Sequence, residues 1–497
     1  MAKSIMVQGT TSGTGKSFLV AALCRIFKQD GYRVAPFKSQ NMALNSFITK
    51  DGFEMGRAQV MQAEAAGIEP SVLMNPILLK PTNDVGSQVI VNGEVLGNMS
   101  AVEYFRYKKN LVPQIIQAYN ALAAENDIIV LEGAGSPAEI NLKSEDIVNM
   151  GMAAMANAPV LLAGDIDRGG VFASLYGTVA LLEAEERRRV KGLIINKFRG
   201  DVSILKPGLV QLEQLTGVPV VGTVPMLSVD VDDEDSVSER LDRREKQGIL
   251  DVAVIRLPRI SNFTDFHALE QIEGLGVRYV KTAAELGEPD LLILPGTKNT
   301  MGDLLWLRQN GLEAAVKKRA ASGTPVIGIC GGYQMLGVRL SDPLSLEQGG
   351  EMAGIGLLPF VTEFLPQKTR TRVDGVVLPL EGLFAPLSGA SVTGYEIHMG
   401  KSEAEQPVQP LVRLENGITD GGVCNNVFGS YLHGLFDSEE FRRALVSILL
   451  KRKGLETLTL EVTDYGAYKQ QQYDKLVQGV RDSLEMEQIY RILEEGV

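Results

Sequence analysis

The stretch that decides the fold is Gly328-Ile329-Cys330-Gly331-Gly332-Tyr333-Gln334, which follows the apolar run Pro325-Val326-Ile327. The apolar run predicts a buried strand, and the glycine-rich turn leads on into Met335-Leu336-Gly337. Glycines allow a sharp strand-to-helix turn that leaves a nucleophile exposed at its tip. An isolated cysteine is more often a core residue. The paired glycines and a later histidine nevertheless favour a catalytic thiol at Cys330.

The chain has only three histidines, so each of them can be weighed as the base for Cys330. His433 ends a strand-like run after the cysteine, where a general base is expected. His398 ends another such run, close to Glu396, and is expected to line the same cleft in a supporting role. His267 lies in a loop or at a helix start and is predicted to be structural. His433 is therefore the predicted base.

A second strand end is expected to contribute to the same cleft. Gly296 follows the run Leu291–Leu294, and its N–H is predicted to join that of Gly331 in stabilising an oxyanion formed at Cys330. Gln334, in the turn after Cys330, is predicted to belong to the same binding region.

The composition restricts the class of protein. The chain has 497 residues, 45% of them hydrophobic and 22% charged, which is typical of a globular protein with two or more domains. Three cysteines do not make a disulfide framework, so a cytoplasmic location is expected. There is no signal-peptide pattern or apolar run of membrane-spanning length. The net charge of −12 argues against non-specific nucleic-acid binding. Neither a membrane nor a nucleic acid is expected as a partner.

The first half of the chain alternates apolar runs with longer helical patterns. Such runs predict a parallel sheet covered by helices on both faces, in an α/β fold. The predicted strands are Ser4–Val7, Arg33–Phe37, Ile128–Leu131, Pro159–Ala163, Gly192–Ile195 and Pro219–Val224.

The loop from Gly9 to Ser17 joins the first strand to a helix predicted over Phe18–Gln29. A glycine-rich loop at this place cradles phosphates with its backbone N–H groups, while a lysine neutralises charge and a serine binds Mg²⁺. Thr10 stands where the strict motif has glycine, as in the variant loop of dethiobiotin-synthetase-like proteins, which this loop resembles. The residues predicted to bind ATP are Thr10, Gly13, Gly15, Lys16, Ser17 and, at a later strand end, Asn196.

Acidic residues at strand ends are candidates to complete a magnesium site with Ser17. Glu132 ends the strand Ile128–Leu131, and ligands bind at this edge of open parallel sheets. Asp51 and Glu54 fall in a loop after the second strand, where a solvated carboxylate is an equally good interpretation. The predicted metal ligands are therefore Ser17, Glu132 and Asp51.

The charged segment between Ser228 and Gly248 is predicted to be a surface connection, because it has few large apolar residues. A new strand series follows, with Asp251–Ile255, Val277–Val280, Leu291–Leu294, Pro325–Ile329, Val392–Ile397 and Val427–Leu432. The predicted division is a P-loop domain at 1–228, a linker at 229–249, a thiol-bearing α/β domain at 250–445 and a helical segment at 446–497.

Long stretches of the chain resemble the family of cobyric and cobyrinic acid amide synthases. That family joins a dethiobiotin-synthetase-like P-loop domain to a class I glutamine amidotransferase domain. The resemblance covers nearly the whole chain and fades after about residue 445. The stretches that carry it are Gly56–Gln59, Met74–Pro81, Asp165–Phe172, Asn196–Asp201, Arg259–Asp265 and Leu294–Asp303.

The resemblance implies a carbon–nitrogen ligase of cobalamin biosynthesis that uses ATP, Mg²⁺ and glutamine. Its longer signatures favour the members that amidate the b, d, e and g carboxylates of adenosylcobyrinic acid a,c-diamide. By that resemblance Cys330 forms a glutamyl thioester and releases ammonia, with His433 as its base. The P-loop domain activates the acceptor carboxylate as an acyl phosphate.

One position departs from the pattern of many glutaminases. Those enzymes carry His-x-Glu, whereas Leu435 lies two residues after His433 here. Glu396, Asp437 or a backbone carbonyl are the candidates to orient the ring. The alternatives to the predicted function are a cobyrinic acid a,c-diamide synthase and a non-catalytic P-loop scaffold protein. The oligomeric state is not predicted.

Overall fold

The computed structural model describes residues 2–82, 86–232, 239–242 and 248–497. This part of the chain forms two compact units. Unit 1 comprises Met1–Met42, Glu54–Asp232 and Ala467–Val497, and unit 2 comprises Ala43–Phe53 and Asp233–Gly466. Each unit contains a largely parallel sheet with helices, so the α/β prediction is confirmed.

The strands are numbered in chain order. They are β1 Lys3–Gly9, β2 Val34–Phe37, β3 Gln40–Met42, β4 Ser46–Ile48, β5 Glu54–Gly56, β6 Ile77–Pro81, β7 Gly86–Val91, β8 Glu94–Ser100, β9 Ile128–Glu132, β10 Val160–Asp165, β11 Val190–Phe198, β12 Val220–Pro225, β13 Leu250–Ile255, β14 Leu275–Val280, β15 Leu291–Leu294, β16 Val326–Ile329, β17 Arg339–Asp342, β18 Gly350–Ala353, β19 Phe360–Val377, β20 Ser391–Ala404, β21 Val412–Leu414, β22 Thr419–Asp420, β23 Gly422–Cys424, β24 Val427–Ser430 and β25 Leu432–His433.

The α-helices are numbered in the same way. They are α1 Lys16–Gln29, α2 Arg57–Ala66, α3 Ala101–Tyr107, α4 Val112–Glu125, α5 Met150–Met155, α6 Val171–Leu181, α7 Ala184–Arg189, α8 Val202–Thr216, α9 His267–Glu270, α10 Ala283–Leu286, α11 Thr300–Gln309, α12 Leu312–Ala321, α13 Gly331–Leu336, α14 Glu439–Arg452, α15 Tyr465–Arg481 and α16 Met486–Glu495.

Unit 1 is built on a six-stranded sheet in the order β12-β11-β10-β1-β9-β2, and every pairing in it is parallel. β9 and β10 are buried along their whole length, as strands with helices on both faces must be. The two neighbours of β1 in the sheet, β9 and β10, both run parallel to it and come much later in the chain. The loop after β1 therefore lies at the place where open parallel sheets bind their ligands.

Unit 2 contains a six-stranded sheet in the order β14-β13-β15-β16-β24-β23, in which only the edge strand β23 is antiparallel. A second sheet is formed around the long antiparallel pair β19 and β20, with β25 paired to β20. The run Val392–Ile397 was predicted in one series with the parallel strands. It lies instead within β20, since its alternating burial suits a sheet covered on one face.

The boundaries of the two units differ from the predicted division at several places. Ala43–Phe53 groups with unit 2, although the sequence placed it inside the first domain. Ala467–Val497 groups with unit 1, because α15 and α16 bury side chains such as Tyr473 and Ile489 in the same core as α1. Sequence patterns reveal helices but not which core they join.

Only part of the predicted linker 229–249 can be compared with the structure. Asp232 is buried and forms an ion pair with Arg57 at 2.7 Å, so this end of the segment is internal to unit 1. Residues 233–238 and 243–247 lie outside the described residues.

Over the described ranges of the chain, no helix has both the length and the apolar character needed to cross a membrane.

Candidate active sites

Cys330 lies at the tip of the turn between β16 and α13. Its φ of 50° and ψ of −107° form a backbone conformation that residues other than glycine rarely adopt. Its N–H donates to Ser430 O at 2.8 Å, which joins the turn to β24. Gly331 and Gly332 follow, and neighbouring atoms lie so close to both that a side chain would not fit there. A Cβ on Gly332 would lie 2.0 Å from Leu294 O, and one on Gly331 would lie 2.7 Å from Thr297 Cγ2. This strained elbow is the local structure that the sequence predicted, and such strain concentrates at functional sites.

His433 contacts the Cys330 thiol and is itself held by a carboxylate. The ring is almost completely buried, and the Cys330 thiol, whose Sγ donates to Ile397 O at 3.6 Å, is close enough to raise the pKa of His433. Its Nδ1 lies 2.7 Å from Oδ2 of Asp265, while Oδ1 of the same aspartate accepts a hydrogen bond from Gly434 N at 3.2 Å. The three side chains therefore form a Cys–His–Asp line, the arrangement in which a carboxylate orients the base of a nucleophile.

The electrostatics of this line favour the charged imidazole. Burial by itself lowers the pKa of His433, but the charge and hydrogen bond of Asp265, together with Cys330, outweigh it and raise the pKa to about 10. A ring with this pKa carries a proton on both nitrogens at neutral pH.

Asp265 was not among the residues predicted to orient His433. The carboxylates considered were Glu396 and Asp437, which are close to the histidine in sequence or on a strand that pairs with it. Burial, followed by the charge of Asp420, raises the pKa of Glu396 to about 7. Asp265 follows Asn262, whose φ of 52° turns the chain into the short helical turn Phe263–Phe266. The only sequence signal was its place in the stretch Arg259–Asp265.

His398 lies in unit 2 with a role that its contacts define. Its Nδ1 donates to Gly400 O at 3.0 Å, and its ring stacks on Tyr431 with centroids 3.6 Å apart. Burial lowers the pKa of His398 to about 4, so the ring stays neutral at physiological pH. These contacts fit a packing side chain of the cleft.

The predicted oxyanion residues converge on the same place. A Cβ on Gly296 would lie 3.1 Å from His433 Cε1, and one on Gly331 would lie 3.1 Å from Thr297 N. The Thr297 hydroxyl donates to Oδ2 of Asp303 at 2.5 Å, and this hydrogen bond ties the loop that contains Gly296 and Thr297 to α11. Burial raises the pKa of Asp303 to about 6, against the hydrogen bonds from Thr297 and Arg259 N.

Gln334 is engaged by protein groups on both ends of its amide. Oε1 accepts from the Thr300 hydroxyl at 2.9 Å, and Nε2 donates to Met399 O at 3.0 Å and to the Tyr431 hydroxyl at 3.3 Å. The side chain thus connects α13 with α11 and β20. A direct contact with substrate stays a prediction.

In unit 1 the loop from Gly9 to Ser17 turns sharply from β1 into α1. A Cβ on Gly9 would lie 2.2 Å from Thr14 Oγ1, which explains a glycine at this position. Gly13 and Gly15 have φ of 73° and 87°, and Gly15 is the N-cap of α1. Thr10 N donates to Ala163 O at 2.9 Å, and Lys16 Nζ donates to Thr11 O and Gly135 O. The N–H groups of α1 and a lysine therefore meet in one loop.

Asn196 touches this loop directly. Its Nδ2 donates to Thr14 O at 2.7 Å, and Lys197 Nζ donates to Gly13 O at 2.6 Å and to Asp165 at 2.9 Å. Asn196 and Lys197, near the end of β11, therefore hold the loop between Gly9 and Ser17 through hydrogen bonds to its backbone carbonyls. Contact between Asn196 and an adenine base stays a prediction.

Glu132 is the centre of a buried polar cluster beside the loop. Its Oε1 accepts from Ser17 Oγ and from Lys38 Nζ, each at 2.8 Å, and its Oε2 accepts from Gln62 Nε2. Ser17 and Glu132 thus present oxygens side by side, a donor set that Mg²⁺ prefers when phosphates and water supply the rest.

Asp51 and Glu54 are the other acidic residues that were considered for the metal site. Asp51 is an exposed residue of Ala43–Phe53 in unit 2, and Glu54 is buried in an ion pair with Lys80 at 2.9 Å. Among the described residues, no group of three or more His, Cys, Asp and Glu side chains is arranged to hold a metal ion. A magnesium site here would therefore depend on the phosphates of a bound nucleotide.

Two family models match the two halves of the chain. Residues 5–239 match the CobQ/CobB/MinD/ParA nucleotide binding domain, and residues 251–441 match the CobB/CobQ-like glutamine amidotransferase domain. The first of these matches lies mainly in unit 1 and the second in unit 2.

Curated relatives match over the full length. The chain is 60% identical to the cobyric acid synthase of Lachnoclostridium phytofermentans, with 100% of both chains covered. It is 59% identical to that of Ruminiclostridium cellulolyticum, which covers 100% of this chain and 98% of the relative. It is 55% identical to that of Photorhabdus laumondii, with 99% and 98% covered.

Proposed function

The chain belongs to the cobyric acid synthase family, and we propose that it amidates the b, d, e and g carboxylates of adenosylcobyrinic acid a,c-diamide, with glutamine as nitrogen donor and ATP as energy source. The observation that carries the proposal is the pairing on one chain of a Cys–His–Asp line with a P-loop beside a buried glutamate. The first suits release of ammonia, and the second suits activation of a carboxylate.

The glutaminase half of the reaction uses Cys330 as nucleophile. Its sulfur attacks the side-chain amide carbon of glutamine, and the thiol proton is held at Nε2 of His433. Asp265 binds Nδ1–H and stabilises the imidazolium, which then gives its proton to the departing ammonia. The N–H groups of Gly331 and the Gly296–Thr297 loop stabilise the oxyanion. Water finally hydrolyses the thioester and releases glutamate.

The nucleotide half of the reaction uses the cradle of unit 1. The backbone of Thr10 to Gly15 and the ammonium of Lys16 bind the triphosphate oxygens and stabilise charge during phosphoryl transfer to the acceptor carboxylate. Ser17 and Glu132 are the residues that would hold Mg²⁺, which offsets the charge of the phosphates when bound. Ammonia then displaces phosphate from the acyl phosphate and leaves the amide.

The proposal is tested with the full chain, the a,c-diamide, ATP, Mg²⁺ and either glutamine or ammonium chloride. We expect mass changes for four carboxyl-to-amide conversions with either nitrogen source. Cys330→Ala should lose amidation from glutamine and keep amidation from ammonia, whereas Lys16→Ala should lose both. No mass change with this acceptor would overturn the proposal. Turnover of cobyrinic acid alone would assign the chain to a,c-diamide synthesis.

A further inference from the structure

Two side chains that contact the imidazole of His433 are both anchored on the backbone of Ser46. Ser46 N donates to Oδ1 of Asn262 at 3.0 Å, and Nδ2 of Asn262 lies 3.4 Å from Nε2 of His433. Ser46 O accepts from the Tyr395 hydroxyl at 3.1 Å, and the Tyr395 ring stacks on the imidazole with centroids 5.3 Å apart at 21°. One residue of unit 2 therefore holds two neighbours of the histidine.

The hydrogen bond from Ser46 fixes which end of the Asn262 amide faces His433. A carboxamide has one accepting oxygen and one donating nitrogen. Because the oxygen accepts from Ser46 N, the nitrogen points towards Nε2. Asn262 is buried, and its left-handed backbone is one that asparagine tolerates, so the side chain has little room to turn over.

We propose that Asn262 is a positioning residue for His433, whose carboxamide, fixed by Ser46 N–H, presents a donor to Nε2 and thereby opposes protonation of the ring. A donor in this place can form a hydrogen bond only with the neutral imidazole, since the imidazolium carries a proton on both nitrogens. The inference rests on the proposed function, in which Nε2 is the atom that exchanges a proton with Cys330.

Asn262 acts against the other polar groups that face the ring. Asp265 accepts a hydrogen bond at Nδ1, and both Asp265 and Cys330 favour the charged form of the ring. From β20, Glu396 interacts favourably with a charged His433, whereas a charged His433 disfavours protonation of His398. With Asp265 alone the imidazolium would hold its proton tightly. A proton donor works best when its pKa lies near the working pH, so the amide makes the proton easier to release to ammonia.

The anchor itself comes from an unexpected part of the chain. Ser46 lies in β4, within Ala43–Phe53, which belongs to unit 2 although the sequence on both sides of it belongs to unit 1. The orientation of the Asn262 amide thus depends on a segment that the nucleotide-binding half of the sequence supplies.

The test measures the pKa of His433 directly in the full-length chain labelled with ¹⁵N-histidine. With only three histidines, the signal of His433 is assigned by its loss in His433→Gln. The titration is done in a Cys330→Ala background, because removal of the thiol makes the measurement independent of glutaminase activity. We expect Asn262→Ala to raise the pKa of His433 by about 0.5 to 1. Asn262→Asp should raise it further, since a carboxylate oxygen then faces Nε2–H.

Asn426→Ala is the matched control. Asn426 also lies in unit 2 and donates through Nδ2 to two backbone carbonyls, Ala320 O and Thr324 O, so its loss should cost stability without changing the pKa of His433. A pKa that is unchanged or lower in the Asn262 variants would overturn the inference. If Asn262→Ala does not fold, Asn262→Gly removes the same carboxamide with a residue that readily adopts the backbone φ of 52°, and the same rise in pKa is expected. Failure of the wild-type chain to amidate the corrinoid would overturn the proposed function and leave this result standing.

Discussion

Oδ2 of Asp265 lies 2.7 Å from Nδ1 of His433, although 168 residues separate the two in the chain. Oδ1 of the same carboxylate accepts from Gly434 N, so both oxygens hold one short segment of β25 and the turn after it. The position two residues after the histidine, where many glutaminases carry glutamate, is Leu435. The carboxylate that contacts His433 is therefore supplied by the short helical turn Phe263–Phe266.

Asp265→Asn should lower kcat for glutamine hydrolysis by about 10³ to 10⁴, because the ring loses the partner that orients it. The charge of Asp265 raises the pKa of His433 to about 10, so its removal lowers that pKa. The imidazolium is then lost at lower pH, and the alkaline limb of kcat/KM should move downward. The measurement is glutamate release as a function of pH.

Asp437→Asn is the control for Asp265→Asn, because Asp437 is the first carboxylate that follows His433 in the sequence. We expect glutamine hydrolysis within about twofold of wild type for this variant. A larger loss in Asp437→Asn than in Asp265→Asn would mean that the wrong carboxylate has been assigned to the ring.

Glu132→Gln should weaken the binding of ATP in the presence of Mg²⁺ by about tenfold or more. Glutamine keeps the size of the side chain and an acceptor for Ser17, but removes the charge beside Ser17 and Lys38. The affinity for ATP is measured by calorimetry with and without Mg²⁺. The exposed Glu125→Gln, at the end of α4, is the control and should bind as wild type does. An unchanged effect of Mg²⁺ in Glu132→Gln would contradict the metal assignment.

Much of the fold could be predicted from the sequence because parallel strands read as continuous apolar runs. β1, β9, β10 and β16 lie where those runs predicted them. The turns after β1 and β16 were visible because glycines are required there by close approach and by positive φ. A constraint between residues that are close in the sequence can be recognised from the residue types at those positions.

Contacts between residues that are far apart in the sequence cannot be recognised from the local residue types. Asp265 was missed because a carboxylate in a loop looks the same whether or not a histidine 168 residues later folds onto it. The transfer of Ala43–Phe53 to unit 2 was missed for the same reason. His398 and His433 both follow apolar runs. Their partners, Gly400 O and Asp265, distinguish the packing side chain His398 from His433, which we propose as the base.

Asp303→Asn should change how the stability of unit 2 depends on pH. Burial raises the pKa of Asp303 from 3.8 to about 6 in the folded chain. As pH rises from 3.8 towards 6, the unfolded chain loses this proton before the folded chain does, so the free energy of unfolding falls over that window. This decrease in the free energy of unfolding is complete above about pH 6 and absent below pH 3.8.

The measurement for Asp303→Asn is the difference in melting temperature between wild type and variant across this pH range. Asparagine does not titrate, and its oxygen can still accept from Thr297. The variant should therefore gain stability relative to wild type as pH rises through the window. Parallel curves would show that Asp303 is not protonated in the folded chain at these pH values.

Gly332→Ala should destabilise unit 2 by about 3 kcal/mol, because its Cβ would lie 2.0 Å from Leu294 O, a backbone atom of the neighbouring strand β15. Gly177→Ala in α6 is the matched control. Its Cβ would meet nothing within 4 Å, so alanine should stabilise that helix by about 0.5 to 1 kcal/mol. Thermal unfolding of both variants measures the difference. Equal effects would mean that the turn after Cys330 can move away from β15, and the elbow would then not be held by this contact.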